Sequence, residues 1–196
     1  RAQEWMQTKG IRDPFILFVG TIEPRKNLQG VLRAFSKLKA KNLYNIKLVV
    51  VGMKGWMDDS ILKLINRFHL NEDVNFLGYV SNQELCQLYN LADLFIFPSF
   101  YEGFGFPIVE AFSCGTAVIT SNVSSCPEVA GDAAEMVDPH NPEDICQAMI
   151  KILSDKKYKA ELQQKALKRA EEFSFLKTAQ DTLDVYKEVY KIPEYP

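Results

Sequence analysis

What this chain of 196 residues lacks narrows its chemistry first. It has only two histidines, His69 and His140, far apart, and four cysteines, Cys86, Cys114, Cys126 and Cys146, with no C-x-x-C pair among them. No zinc pattern can be read from that set, and no metal site is expected. Thiols scattered in this way read as reduced and partly buried, in a cytosolic protein. No apolar run approaches the roughly 20 residues of a membrane-spanning helix, and no signal-peptide pattern is visible. An excess of charge is missing too: 23 Lys and Arg stand against 25 Asp and Glu, a net charge of −2. Nothing draws such a chain broadly to nucleic acid or to anionic membranes, so any anion site must be local. Internal repeats and low-complexity linkers are absent. The first residue is Arg1 rather than Met, and the expectation is a fragment whose N-terminal part lies elsewhere.

What is present is ordinary for a folded domain. Apolar residues make up 47% and charged residues 24%, and the length suits one α/β domain. Short, near-continuous apolar runs at Phe15 to Val19, Lys47 to Val51, Val74 to Phe76, Leu94 to Phe97, Ala117 to Thr120 and Ala134 to Val137 read as strands covered on both faces. Helical patterns run from about Asn27 to Ala40, Asp59 to Phe68 and Ser81 to Asn90, the last opening on a capping box of Ser81 and Glu84. Pro107 and Pro142 fit first helical positions, opening helices to Ser113 and Leu153. Two longer helices follow, about Lys156 to Glu172 and Phe175 to Tyr190. This alternation implies a doubly wound, mainly parallel six-stranded sheet of Rossmann-like type with helices on both faces. Ligands of such sheets bind beyond the carboxyl ends of the strands.

The strongest feature there is Ser99-Phe100-Tyr101-Glu102-Gly103-Phe104-Gly105-Phe106-Pro107-Ile108-Val109-Glu110-Ala111. Gly103 and Gly105 let backbone N–H groups come close to a ligand, and the helix that begins near Pro107 offers free N–H groups and a dipole to an anion. Glu102 precedes this cradle and Glu110 follows it. Carboxylates flanking a phosphate site are odd if only phosphate binds, and sensible if each accepts hydrogen bonds from a vicinal diol, at about 1.5–3 kcal/mol per charged bond. One sugar on each side of a diphosphate describes a nucleotide sugar. The segment lacks the third glycine of a dinucleotide fingerprint, and no G-x-x-x-x-G-K-[ST] loop exists.

A second segment, Gly20-Thr21-Ile22-Glu23-Pro24-Arg25-Lys26-Asn27, also joins a strand to a helix. Adjacent cations at a helix start oppose its dipole, so Arg25 and Lys26 are expected to face an anion, Arg25 by its fork and Lys26 as a point charge. A third, Phe76-Leu77-Gly78-Tyr79-Val80, could meet a flat base. The residues expected to line the ligand are Gly20, Thr21, Tyr79, Val80, Gly103, Phe104, Gly105, Phe106 and Glu110, together with Glu102, Arg25 and Lys26.

In this order, V-G-T-I-E-P-R-K-N-L, F-L-G-Y-V, the segment from Glu102 to Glu110, Cys114-Gly115-Thr116 and the run from Pro127 to Ala134 resemble glycosyltransferase family 4. The likeness is to its C-terminal, donor-binding domain in the GT-B architecture, from about Phe15 to Tyr190. The resemblance implies that residues 1–14 end an interdomain linker and that 15–196 form the nucleotide-sugar domain, with C-terminal helices at about 156–190. It implies that Glu102 contacts the transferred hexose, Glu110 the ribose and Lys26 the diphosphate. Many members carry an arginine where this chain has Thr21, and Arg25 is expected to replace it; Ala117 stands where a proline is common.

The activity implied is retaining, metal-independent hexosyl transfer with no cofactor besides the donor. The acceptor, a glycan or lipid-linked sugar, would be held by an N-terminal domain, and the location would be cytoplasmic, with peripheral membrane association open to the whole protein. The E-P-R-K-N variant resembles mannosyltransferases of bacterial surface polysaccharides and points to GDP-mannose, with a UDP-sugar as the alternative. Two other readings stand beside it. A sugar-nucleotide epimerase of the same architecture would need further acid–base groups, and no histidine stands in the motif loops. A non-catalytic sugar-nucleotide module would leave the glutamates and the cation pair in place without transfer.

Overall fold

A computed structural model describes residues 6–11, 14–53 and 59–190. The strands are β1 (Phe15–Val19), β2 (Lys47–Val51), β3 (Val74–Gly78), β4 (Leu94–Phe97), β5 (Val118–Ser121) and β6 (Glu135–Val137). The helices are α1 (Leu28–Ala40), α2 (Asp59–Arg67), α3 (Asn82–Leu91), α4 (Phe106–Ser113), α5 (Cys126–Ala130), α6 (Pro142–Ser154), α7 (Lys156–Ala170) and α8 (Phe175–Tyr190), with a 3-10 turn at Pro24–Lys26. All strands pair in parallel, in the order β3-β2-β1-β4-β5-β6. The doubly wound sheet expected from the sequence is therefore present.

Residues alternate across it between two apolar layers. Ile16, Phe18, Leu48, Val50, Ile96 and Ile119 face the layer of α1, α2 and α6. Phe15, Leu17, Val49, Phe95, Phe97 and Val118 face that of α3, α4 and α5. Two covered faces make both sets of positions apolar, which is why the strands read as unbroken runs.

Several boundaries differ from the sequence reading. β3 continues to Gly78, and β5 and β6 each begin one residue later, because ladder hydrogen bonds rather than composition set strand ends. α4 begins at Phe106, so Pro107 takes its second position. Asn27 precedes α1 as its left-handed cap, φ 59°, and accepts from the Gly30 N–H at 3.1 Å. α5 was not anticipated. Of the segment 1–14, residues 1–5 and 12–13 lie outside the described residues; within it Ile11 is buried, and Met6 packs against the same apolar layer. α8 buries none of its residues.

Sheet order reverses between β1 and β4: β1 is followed outward by β2 and β3, and β4 by β5 and β6. The crevice at such a switch point is the usual ligand site of an open α/β sheet. Here it is flanked by the loops after β1 and β4, which carry the two strongest sequence motifs.

Candidate active site

The loop after β1 is held down by its glycine and its asparagine. The chain passes so close to β2 that a Cβ on Gly52 would lie 1.9 Å from the Gly20 carbonyl oxygen. The Asn27 side chain, buried, donates from Nδ2 to the carbonyls of Pro98 at 3.0 Å and Pro139 at 2.7 Å. It thereby ties the loops after β1, β4 and β6 together. A Cβ at Gly30 would sit 2.4 Å from Asn27 Oδ1, so the N-x-x-G spacing is set by this side chain. The Phe100 N–H donates to the Arg25 carbonyl at 2.8 Å, joining the two motif loops directly.

This frame brings Arg25, Lys26 and Glu102 together. Lys26 Nζ donates to Glu102 Oε1 at 2.6 Å, and Arg25 donates from its guanidinium to Glu102 Oε2 at 2.9 Å and pairs with Glu23 at 2.6 Å. The Lys26 and Glu102 side chains are only 10% and 7% exposed, whereas Arg25 is 46% exposed. The Lys26 ammonium also lies 4.7 Å from the centre of the Phe97 ring, a favourable cation–π placement. A buried charge needs partners, and each of these two is the other's.

Arg25 and Lys26 lie at the helix start as expected, in the 3-10 turn directly before Asn27, the N-cap of α1. The anion they face within the chain is Glu102.

Glu102 is further fixed through its backbone. Its N–H lies 3.0 Å from Ser124 Oγ, and its carbonyl accepts from Ser124 at 2.7 Å and from Ser125 at 3.0 Å. Ser125 Oγ also lies 2.9 Å from the Phe104 carbonyl, so its single proton is shared between the two carbonyls. Sequence reasoning missed both serines; the signal was their place in the loop after β5, another strand end on the ligand side.

Among the described residues no acceptor in the chain takes the amides of Gly103, Phe104, Gly105 or Phe106. Gly105, with φ 103°, caps α4 without a side-chain bond. A Cβ on Gly103 would meet nothing within 4 Å. The space at the Gly103 Cβ position is therefore open, within the same loop as these four amides.

Glu110 stands apart from this cluster. It is exposed on α4 and accepts from the buried Tyr89 hydroxyl of α3 at 3.0 Å. Burial, and then the Glu110 charge, hold the Tyr89 phenol well above its usual range, so Tyr89 is a standing donor to that carboxylate. Of the remaining expected residues, Gly20 flanks the Lys26 stem, Thr21 is exposed, and Tyr79 is 78% exposed. Val80 is buried in the α3–α4 layer and can offer a ligand only its backbone.

The glycosyl transferases group 1 family model matches residues 2–169. O-antigen chain mannosyltransferase B of Escherichia coli is 39% identical over 173 residues, 88% of this chain and 45% of that protein. Serotype-specific mannosyltransferase WbdA of Escherichia coli is 37% identical over 181 residues, 91% of this chain and 22% of that protein. The chain thus spans less than half the length of these curated relatives. Among solved structures, a glycosyltransferase of Rickettsia africae superposes with a TM-score of 0.88 at 22% identity, covering 98% of this chain and 52% of that one. Anabaena HepE, solved in complex with UDP and glucose, gives 0.84 at 20% identity, covering 95% and 52%.

Proposed function

The chain belongs to the group 1 glycosyl transferases, and from that membership we propose that it is the donor-binding part of a retaining mannosyltransferase that uses GDP-mannose. The observation that carries this reading is the cluster of Arg25, Lys26 and Glu102 at the sheet's switch point, beside the free amides of Gly103 to Phe106. The diphosphate of the donor lies between those cations and those amides. Glu102 takes hydroxyls of the hexose, and Glu110 takes the ribose diol. The backbone around Gly78 to Val80 meets the base.

Binding exchanges partners. The cations held by Glu102 turn to phosphate oxygens, and the carboxylate they release is freed for the sugar. As the bond from the anomeric carbon to the phosphate oxygen breaks, negative charge grows on the leaving diphosphate and positive charge on an oxocarbenium-like sugar. Arg25, Lys26 and the amides stabilise the first. Fixed donors of this kind contribute about 2.7–4 kcal/mol each. The reading assigns the leaving-group charge to these groups and invokes no metal ion.

Mannose is favoured by the two mannosyltransferase relatives. A UDP-sugar is the alternative, suggested by the UDP held in the Anabaena protein of like fold. The acceptor, a glycan or lipid-linked sugar, would be bound by a further domain, and the chain by itself would bind donor without transferring. Calorimetric titration with GDP, UDP, ADP and their sugars tests the reading. GDP binding at least tenfold tighter than UDP supports it; a preference for UDP overturns the donor, and binding of no nucleoside diphosphate overturns the site.

A further inference from the structure

A cavity of about 320 Å³ opens where the loops after β1, β4 and β6 meet the starts of α1 and α2. That volume falls within the span of small-molecule sites, roughly 300–1,000 Å³. No residue assigned above to the donor lines it. Leu28, Ile61 and Phe100 give it apolar walls, and Glu23, Arg33 and His140 give it polar ones. The Phe100 and His140 rings stack, with centres 4.7 Å apart and planes 25° from parallel. These walls are held by bonds to the motif loops. The Phe100 N–H donates to the Arg25 carbonyl, and the Asn27 side chain donates to the carbonyl of Pro139, the neighbour of His140.

Two of the polar groups keep hydrogen-bonding capacity. Arg33 is exposed on α1, and among the described residues its guanidinium has no hydrogen-bond or ion-pair partner. Glu23 gives one carboxylate oxygen, Oε1, to Arg25 at 2.6 Å; among the described residues its other oxygen takes no hydrogen bond.

We propose that this cavity is a subsite for a neutral sugar unit of the acceptor glycan, separate from the donor site. It rests on the transferase reading above. The sugar that receives the hexose is held by the further domain, and this subsite takes a unit farther along the same glycan. A pyranose ring carries apolar C–H faces and a rim of hydroxyls. The cavity offers the matching pair: aromatic and aliphatic surface for the faces, and for the hydroxyls a guanidinium with five N–H donors and a carboxylate acceptor. Hydrogen bonds to ionised groups are the stronger kind. The charges of Glu23 and Arg33 are opposite, so the lining favours a neutral polyol over an anion.

The cavity also touches the transfer site through one side chain. Glu23 pairs with Arg25, whose guanidinium lies 2.9 Å from Glu102. When Arg25 turns to the diphosphate, Glu23 is released to the glycan. Donor and glycan should therefore bind together rather than compete.

The test titrates the isotope-labelled chain with α-mannobiose and follows backbone amide signals by NMR, with and without GDP. The expected result is a set of shifts at Gly30, Phe100 and His140, with the disaccharide bound at least as tightly when GDP is present. Arg33→Ala and Phe100→Ala, both changes of exposed side chains, should weaken the disaccharide at least threefold, and Arg33→Ala should leave GDP affinity unchanged. Shifts confined to the Gly103 to Phe106 amides, displacement of the disaccharide by GDP, equal affinity in both variants, or no shifts at millimolar disaccharide would each overturn the subsite. A chain that binds the disaccharide in the cavity but binds no GDP is the failure of the donor reading, and leaves the subsite supported.

Discussion

The two glutamates that flank the glycine loop are treated differently by the fold. Glu102 is nearly buried, bonded to Lys26 and Arg25, and its backbone is bound by Ser124 and Ser125. Glu110 is exposed on a helix surface, with one hydroxyl donor, Tyr89. The first carboxylate is part of the structure that positions the site, and the second is presented to whatever arrives. Mutations at the Glu102 end should therefore cost much stability as well as binding, while those at the Glu110 end should cost binding and no more than one hydrogen bond of stability.

The largest expected effect is at Lys26. Lys26→Ala leaves Glu102 buried with only the half-exposed Arg25 beside it, and removing one partner of a buried ion pair typically destabilises by about 3–5 kcal/mol. Arg25→Ala removes a more exposed partner and should cost under about 1 kcal/mol. Denaturant unfolding of the two variants compares them; equal losses would erase the distinction between buried and exposed cations. In the full-length enzyme both changes should lower turnover as well as donor affinity, since charge on the leaving phosphate grows in the transition state.

Next comes the pair of glutamate variants. Glu110→Ala should lower nucleoside diphosphate affinity by about 1.5–3 kcal/mol through the lost charged acceptor, and cost about 0.5–1.5 kcal/mol of stability through the lost Tyr89 hydrogen bond. Glu102→Ala should destabilise the chain and weaken binding of the intact donor more than of the free nucleoside diphosphate. In calorimetry with GDP and GDP-mannose, equal losses in Glu102→Ala would contradict the hexose assignment, and unchanged GDP affinity in Glu110→Ala the ribose assignment.

Tyr89→Phe should be smaller still, about 0.5–1.5 kcal/mol of stability for one hydrogen bond, read from unfolding midpoints. The smallest effect is in alkaline pH. Tyr89 and Cys114 keep their protons in the folded chain at pH values where the unfolded chain has lost them. The unfolded state then binds fewer protons, so stability falls as pH rises. The Cys114 part is present below about pH 9 and lost towards pH 11. Cys114→Ser should flatten that part of the stability–pH curve.

Much of this was legible in the sequence for a physical reason. A sheet covered on both faces writes its strands as apolar runs, and the glycines and prolines after them mark the ligand side. The capping box of Ser81 and Glu84 is formed as read. What could not be read is contact between distant segments. Arg25 and Lys26 announced a nearby anion, but that the chain supplies one itself, 76 residues along from Lys26, has no local signature. Asn27 looked like the first residue of a helix; its left-handed backbone and its bonds to Pro98 and Pro139 follow from the crossing of three loops. α5 spans only five residues, too few for a helical period to show. Nothing local marks Gly52 as crowded, and only the packing of β1 on β2 shows that the Gly20 carbonyl leaves no room there for a side chain.

The exchange of partners at Lys26 is the centre of the account, and a crystal structure with GDP-mannose or GDP bound tests it most directly. The account predicts Lys26 Nζ within hydrogen-bond reach of a phosphate oxygen, Arg25 within ion-pair reach, and the Gly103 to Phe106 amides on the opposite side of the diphosphate. A bound diphosphate that neither Arg25 nor Lys26 touches, with both cations still closed on Glu102, would contradict it.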